Sequence, residues 1–181
     1  NFQATFREVR KEIGSIFTLT QNDLNATFEG MEEQVLRAGL SFNELAQGTN
    51  ELASNFGMAA SEAAVLSYHI ADGAKAIGVQ ATTMAKVVGG FELIGDMTAD
   101  QSHQLSEQIA LLAAQNDVMP AAVMEDLASS TEEMAKFSKG GIKNFAQAAI
   151  QARKLGMSVK DISNTMNGLL NFEDSLNKEL Q

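Results

Sequence analysis

Glycine followed by an aliphatic residue recurs along this chain, at Gly39-Leu40, Gly57-Met58, Gly78-Val79, Gly141-Ile142 and Gly156-Met157. A glycine just past a helix takes the left-handed conformation that closes it, and an apolar residue next to it folds back on the last turn. Two variant restarts, near Gly95-Met97 and Asp117-Met119, fill the gap between the third and fourth pairs. Successive restarts lie 15 to 23 residues apart, which is one helix plus one turn. An unbroken helix of 181 residues would run to about 270 Å at ~1.5 Å per residue. The glycine stops predict instead short helices that fold back and bury their apolar stripes against one another. The uneven spacing does not match the fixed periods of ankyrin or tetratricopeptide repeats.

Helix starts support the same reading. Ser41 with Glu44 makes a capping box, and Leu40 with Leu45 a hydrophobic staple. Thr98 with Gln101 is a second box. Ser158 with Asp161 is a third, with Met157 and Ile162 as its staple. Pro120 suits a first helical turn, where its missing N–H costs little.

Between these marks the apolar residues recur at three- and four-residue steps. The stripes begin with Phe2, Phe6, Val9, Ile13 and Phe17, and continue with Leu24, Phe28, Met31, Val35 and Leu36. Leu45, Leu52 and Phe56 follow, then a helix opened by Met58 and carrying Ala63, Leu66 and Ile70. Met84, Val87 and Val88 come next, with breaks expected at Gly89-Gly90 and Gly95. Leu105, Ile109 and Leu112 precede a stripe read as one helix, Val123, Met124, Leu127, Met134 and Phe137, ending at Gly140-Gly141. Ile142, Phe145, Ala149 and Ile150 lead to a closing face of Ile162, Met166, Leu169, Leu170 and Phe172, continued by Leu176 and Leu180. The expected fold is all-α: an array of short helices joined by Gly-containing corners, folded back into a compact helical domain. Residues 1–37 read as N-terminal helices, linker-like or oligomerising, and 38–181 as the tandem short-helix domain. The chain opens on Asn1 inside one helical pattern and ends inside another, as a fragment of a longer chain would.

Composition narrows function. A single proline and few aromatics disfavour a sandwich or barrel. Net charge is −10, which repels a phosphate backbone over most of the surface, so no specific nucleic-acid site is expected. The absence of cysteine excludes disulfides, thiolate metal sites and cysteine nucleophiles. No apolar run approaches the ~20 residues of a membrane helix. Charge is uneven: Lys75 and Lys86 are the only Lys or Arg between Ala38 and Ala135, and Lys136, Lys139, Lys143, Arg153, Lys154 and Lys160 then cluster. Such a cluster reads as a solvated face, or as a docking surface for an acidic partner.

No chemistry-bearing motif stands out. His69 and His103 are far apart in sequence and neither belongs to a ligand motif. The neighbouring carboxylates Glu32-Glu33, Glu125-Asp126, Glu132-Glu133 and Glu173-Asp174 point about 100° apart on a helix and do not converge. Met84, Met124, Met134 and Met166 fall on apolar stripes as core fillers. No catalytic, cofactor-binding or metal-ligating residue is assigned, and no enzyme activity is expected.

Three segments carry a family likeness: Gly89 to Asn116, Met119 to Gly141, and Ala148 to Leu180, the last including the restart Leu155 to Ser158 and the run Leu169 to Glu173. In these the chain resembles the helical region of bacteriophage tail tape measure proteins. The resemblance implies a structural protein of the virion, assembled in the host cytoplasm. It would lie in the lumen of the tail tube, set tail length and leave ahead of the DNA at infection. Implied partners are the tail tube protein, other tail components, tail assembly chaperones and further copies of the chain, as a trimer or hexamer. An alternative is a helical adaptor or signalling module that binds partner helices. A third is an enzyme in which carboxylates distant in sequence meet.

Overall fold

A computed structural model describes residues 31–137 and 141–165. Every regular element among them is an α-helix: α1 (Glu32–Ala38), α2 (Phe42–Phe56), α3 (Ala60–Ile77), α4 (Ala81–Gly95), α5 (Ala99–Gln115), α6 (Pro120–Ser129), α7 (Thr131–Phe137) and α8 (Ile142–Lys154). Helical backbone resumes at 159–165. The all-α expectation holds over these residues. The stripes expected between Phe2 and Phe28, and those at Met166, Leu169, Leu170, Phe172, Leu176 and Leu180, lie outside the described residues.

The corners have the expected conformation. Gly39, Gly57, Gly78 and Gly156 have φ between 64 and 75°. Asp96 (φ 50°) and Asp117 (φ 58°) occupy the same conformation at the two variant restarts. At four corners the aliphatic residue donates its N–H to a carbonyl five residues back: Leu40 to Val35, Val79 to Ala74, Val118 to Ala113 and Met157 to Ala152, all at 2.9–3.0 Å. This is the Schellman arrangement, in which the glycine position reverses the chain and the next residue seals the last turn. The receiving residues Val35, Ala74, Ala113 and Ala152 are almost fully buried.

All three capping boxes form. Glu44 N–H donates to Ser41 Oγ and Ser41 N–H to Glu44 Oε2. Gln101 N–H donates to Thr98 Oγ1 and Thr98 N–H to Gln101 Oε1. Asp161 N–H donates to Ser158 Oγ and Ser158 N–H to Asp161 Oδ2. Pro120 is the first residue of α6.

Several boundaries differ from the expectation. Gly89-Gly90 does not break the chain; α4 runs through it to Gly95, and the left-handed residue is Asp96. Both glycines are buried, and a Cβ on Gly89 would stand within 2.7 Å of Phe56 Cε2. Gly89 is there for the close approach of an aromatic ring, not to end a helix. The stripe from Val123 to Phe137 is two helices, because Ser130 leaves helical geometry (φ −115°, ψ 33°). Hydroxyls bracket that break: Ser129 Oγ donates to Asp126 O and Thr131 Oγ1 to Ala128 O, the backbone competition that makes such residues poor helix formers. Gly141 is not a closing residue; with φ 89° and ψ 148° it precedes α8 as its N-cap. Met58 is not helical, and α3 starts at Ala60.

The chain divides into two compact units, Asn1–Gln108 and Ile109–Gln181. In the first, α2, α3 and α4 pack against one another. Val35, Leu40, Leu45, Ala64, Ala71 and Ala81 form one apolar cluster, which includes both expected staple partners, Leu40 and Leu45. Full burial of a leucine such as Leu45 (0% exposed) contributes about 1.5–3 kcal/mol. Gly48 lets α3 come close, since a Cβ there would lie 3.3 Å from Ser67 Oγ. Beside it Thr49 Oγ1 and Ser67 Oγ, both buried, lie 3.0 Å apart, and Ser67 Oγ donates to Ala63 O at 2.6 Å. Lys75, on α3, donates to Ala38 O and Gly39 O at 2.9 Å each, so it fastens the C-terminal end of α1. In the second unit α6, α7 and α8 pack together. Val123, Met124, Leu127, Met134, Phe145, Ala149 and Ile150 are buried there.

Candidate functional site

The first candidate in the second unit centres on Asp126, which is 2% exposed on α6. Its Oδ2 accepts the backbone N–H of Val159 at 3.0 Å and lies 3.5 Å from Arg153 Nε. Burial pushes its carboxyl above the ordinary range, against the opposing pull of the Val159 N–H and the Arg153 guanidinium. The helical stretch at 159–165 starts with N–H groups that have no partner within the helix. The Ser158–Asp161 box satisfies one, and Asp126 supplies the acceptor for Val159 from another helix. The arrangement therefore works as a long-range helix cap. Its sequence neighbour Glu125 is exposed, so the two carboxylates do not converge. One signal in the sequence points to Asp126: it lies three residues after Val123, on the apolar face.

Beside this node is an open cleft of about 500 Å³, lined by Asn116, Asp117, Val118, Met119, Ala122, Arg153, Lys154 and Gly156. Lys154 Nζ donates to Asn116 Oδ1 at 3.0 Å, and Asn116 Nδ2 donates to Leu112 O at 2.9 Å. Lys154 thus ties the end of α8 to the end of α5, as Lys75 ties α3 to α1. Met119 (69% exposed) lines the cleft, and Leu155 (76% exposed) adjoins two of its lining residues in the chain. The lining has no hydroxyl, imidazole or thiol, and its one carboxylate is that of Asp117. What it offers is apolar surface next to Lys154, to Arg153, which already faces Asp126, and to the Asp117 carboxylate.

The histidines, distant in sequence, are brought together in the first unit. Their ring centroids lie 6.2 Å apart, and Tyr68 meets His69 edge-on at 5.3 Å. His103 Nε2 is 3.8 Å from Glu107 Oε1, and its Nδ1 is buried without a partner. Burial lowers the pKa of His103, the field of Glu107 raises it, and that of His69 lowers it. Among the described residues no group of three or more His, Cys, Asp or Glu side chains is placed to hold a metal ion.

Of the carboxylate neighbours, Glu33 is exposed and pairs with Arg37, Glu132 is exposed and Glu133 half-buried. Glu173-Asp174 lies outside the described residues. One pairing that sequence did not suggest crosses two helices: burial raises the pKa of Glu92, on α4, and the charge of Glu62, on α3, raises it further. Met84, Met124 and Met134 fill the core as expected, while Met166 lies outside the described residues. In the basic cluster Lys136, Lys143, Lys154 and Lys160 are exposed and Arg153 half-buried; Lys139 is not among the described residues. No described helix is long and apolar enough to cross a membrane.

Comparison with known proteins gives no family model that matches the chain, and no match among curated proteins or solved structures.

Proposed function

We propose that the chain is a structural, non-enzymatic segment of a phage tail tape measure protein. In this reading it occupies the tail tube lumen, contributes to tail length and is ejected ahead of the DNA. Its partners are the tail tube protein, other tail components, assembly chaperones and further copies of itself, and its place is the virion. The observation that carries the reading is the succession of short helices reversed at left-handed corners, in the segments that resemble that family. An acidic chain with net charge −10 suits a lumen through which DNA must slide without sticking. The test uses tails purified from the phage that encodes the chain. Its peptides should be present in intact tails and lost from tails that have ejected their DNA. Absence from intact tails overturns the reading, and so does retention after ejection.

The cleft beside Lys154 favours one second reading, a helical adaptor. Exposed Met119 at the cleft, with two cations beside it, would receive an acidic partner helix with an aliphatic side chain.

A further inference from the structure

The His69–His103 pair has no part in the function proposed above. His103 lies on α5, with its side chain 14% exposed. Its ring rests against α3 where Gly73 leaves room; a Cβ on Gly73 would stand 3.4 Å from His103 Cε1. The α3 groups that face it are His69 and Asp72, and those of α5 are Asp100 and Glu107. Met84, on α4, comes close to Gly73 with an uncharged methyl.

We propose that this contact is a pH-sensitive latch, which holds the part of α5 up to Gln108 against α3 while His103 is neutral and releases it when the imidazole is protonated. Neutral imidazole has one N–H and one lone pair. In the tautomer that carries its proton on Nε2, the nitrogen 3.8 Å from Glu107 Oε1, the buried and partnerless Nδ1 is a bare lone pair. Protonation places a second N–H at Nδ1, where no acceptor stands, and puts a positive charge in a site with little access to water. It also sets that charge against His69, whose ring is 6.2 Å away and whose field disfavours the His103 cation. Glu107, Asp100 and Asp72 offset part of this, but burial is the largest influence and acts against the cation. The folded pKa therefore lies below the ordinary 6.5. The latch is at full strength above 6.5 and weakens as pH falls from there towards the folded value.

The test follows the histidine Cε1–H resonances and backbone amide exchange in the full 181-residue chain from pH 7.5 down to pH ~4.5, with exchange corrected for intrinsic chemical rates. The expected result is a His103 midpoint below 6.5, with several-fold faster exchange at Leu105 to Gln108 over the same range and unchanged protection at Leu45 to Leu52. His103→Gln abolishes the acceleration. Glu107→Gln, at an exposed position, removes an attraction for the cation and moves both the midpoint and the acceleration to lower pH, so the proposal stays testable if the first variant does not fold. A midpoint at or above 6.5 overturns it. So does exchange in α2 that rises together with α5, an acceleration that survives His103→Gln, or a profile that Glu107→Gln leaves in place.

Discussion

Asp126 Oδ2 accepts the N–H of Val159 at 3.0 Å across 33 residues of chain. The bond joins α6 to the start of the helical stretch at 159–165, and Arg153 approaches the same oxygen from α8. Asp126→Ala leaves an orphaned N–H and a half-buried guanidinium, and should cost about 2–4 kcal/mol. Asp126→Asn keeps a carbonyl acceptor for Val159 and loses only the charge pairing, so it should cost about half as much. Urea unfolding of the two variants checks the order; equal losses would mean that the Val159 bond contributes nothing.

Two carboxylates at this junction respond to acid with opposite signs. The pKa of Asp126 is raised above 3.8 by burial, so between those values the folded state holds more protons than the unfolded one. Its contribution to stability therefore increases as pH falls through the folded value towards 3.8. Asp161 is held below 3.8 by hydrogen bonds from Ser158. Its contribution is complete above 3.8 and is lost as pH falls through its lower folded value. Compared with the unmodified chain, Asp126→Asn should lose the first effect and Ser158→Ala the larger part of the second, since the backbone N–H of residue 158 still donates to Asp161. Unfolding midpoints measured from pH ~6 to ~3 separate them.

The Phe56 ring covers Gly89 so closely that any Cβ there must displace it. Gly89→Ala gains about 1 kcal/mol in helix propensity but overpacks the α2–α4 contact by about 1–3 kcal/mol. A net loss of up to about 2 kcal/mol is expected. In a Phe56→Ala background, where the ring is gone, the same substitution should be neutral or stabilising. A double-mutant cycle without coupling between the two positions would refute this account.

These cases mark what the sequence could reveal. Gly39, Gly57, Gly78 and Gly156 are legible as corners because a left-handed residue is a local demand, met or not within one turn. The three capping boxes are legible for the same reason, since both partners lie three residues apart. Gly89 misleads because its role depends on Phe56, which no local pattern couples to it. The break at Ser130 is hidden because no glycine or proline marks it, only hydroxyls that divert backbone acceptors. The candidate sites are the least legible. In sequence Asp126 is half of a carboxylate pair that does not converge, and only the fold closes Val159 and Arg153 on it. His69 and His103 become neighbours only where α3 and α5 meet. In sequence Lys75 is an isolated basic residue and Lys154 one member of a basic cluster, and each fastens the end of a distant helix.

The corners themselves supply the last prediction, because the same left-handed conformation is filled by different residues. Gly57 has φ 70°, and a Cβ added there would meet no atom within 4 Å, so Gly57→Ala tests backbone strain alone. It should cost about 1–2 kcal/mol, the penalty of left-handed backbone for an L-residue. Asp117 already bears that penalty at φ 58°, and its negative charge sits just past the C-terminal end of α5, where the helix dipole is also negative. Asp117→Gly relieves both, and should stabilise the chain by about 1 kcal/mol even though glycine has more freedom in the unfolded state. The two substitutions therefore shift the thermal midpoint in opposite directions. If Asp117→Gly lowers it, the Asp117 side chain must make a stabilising contact that outweighs its backbone strain.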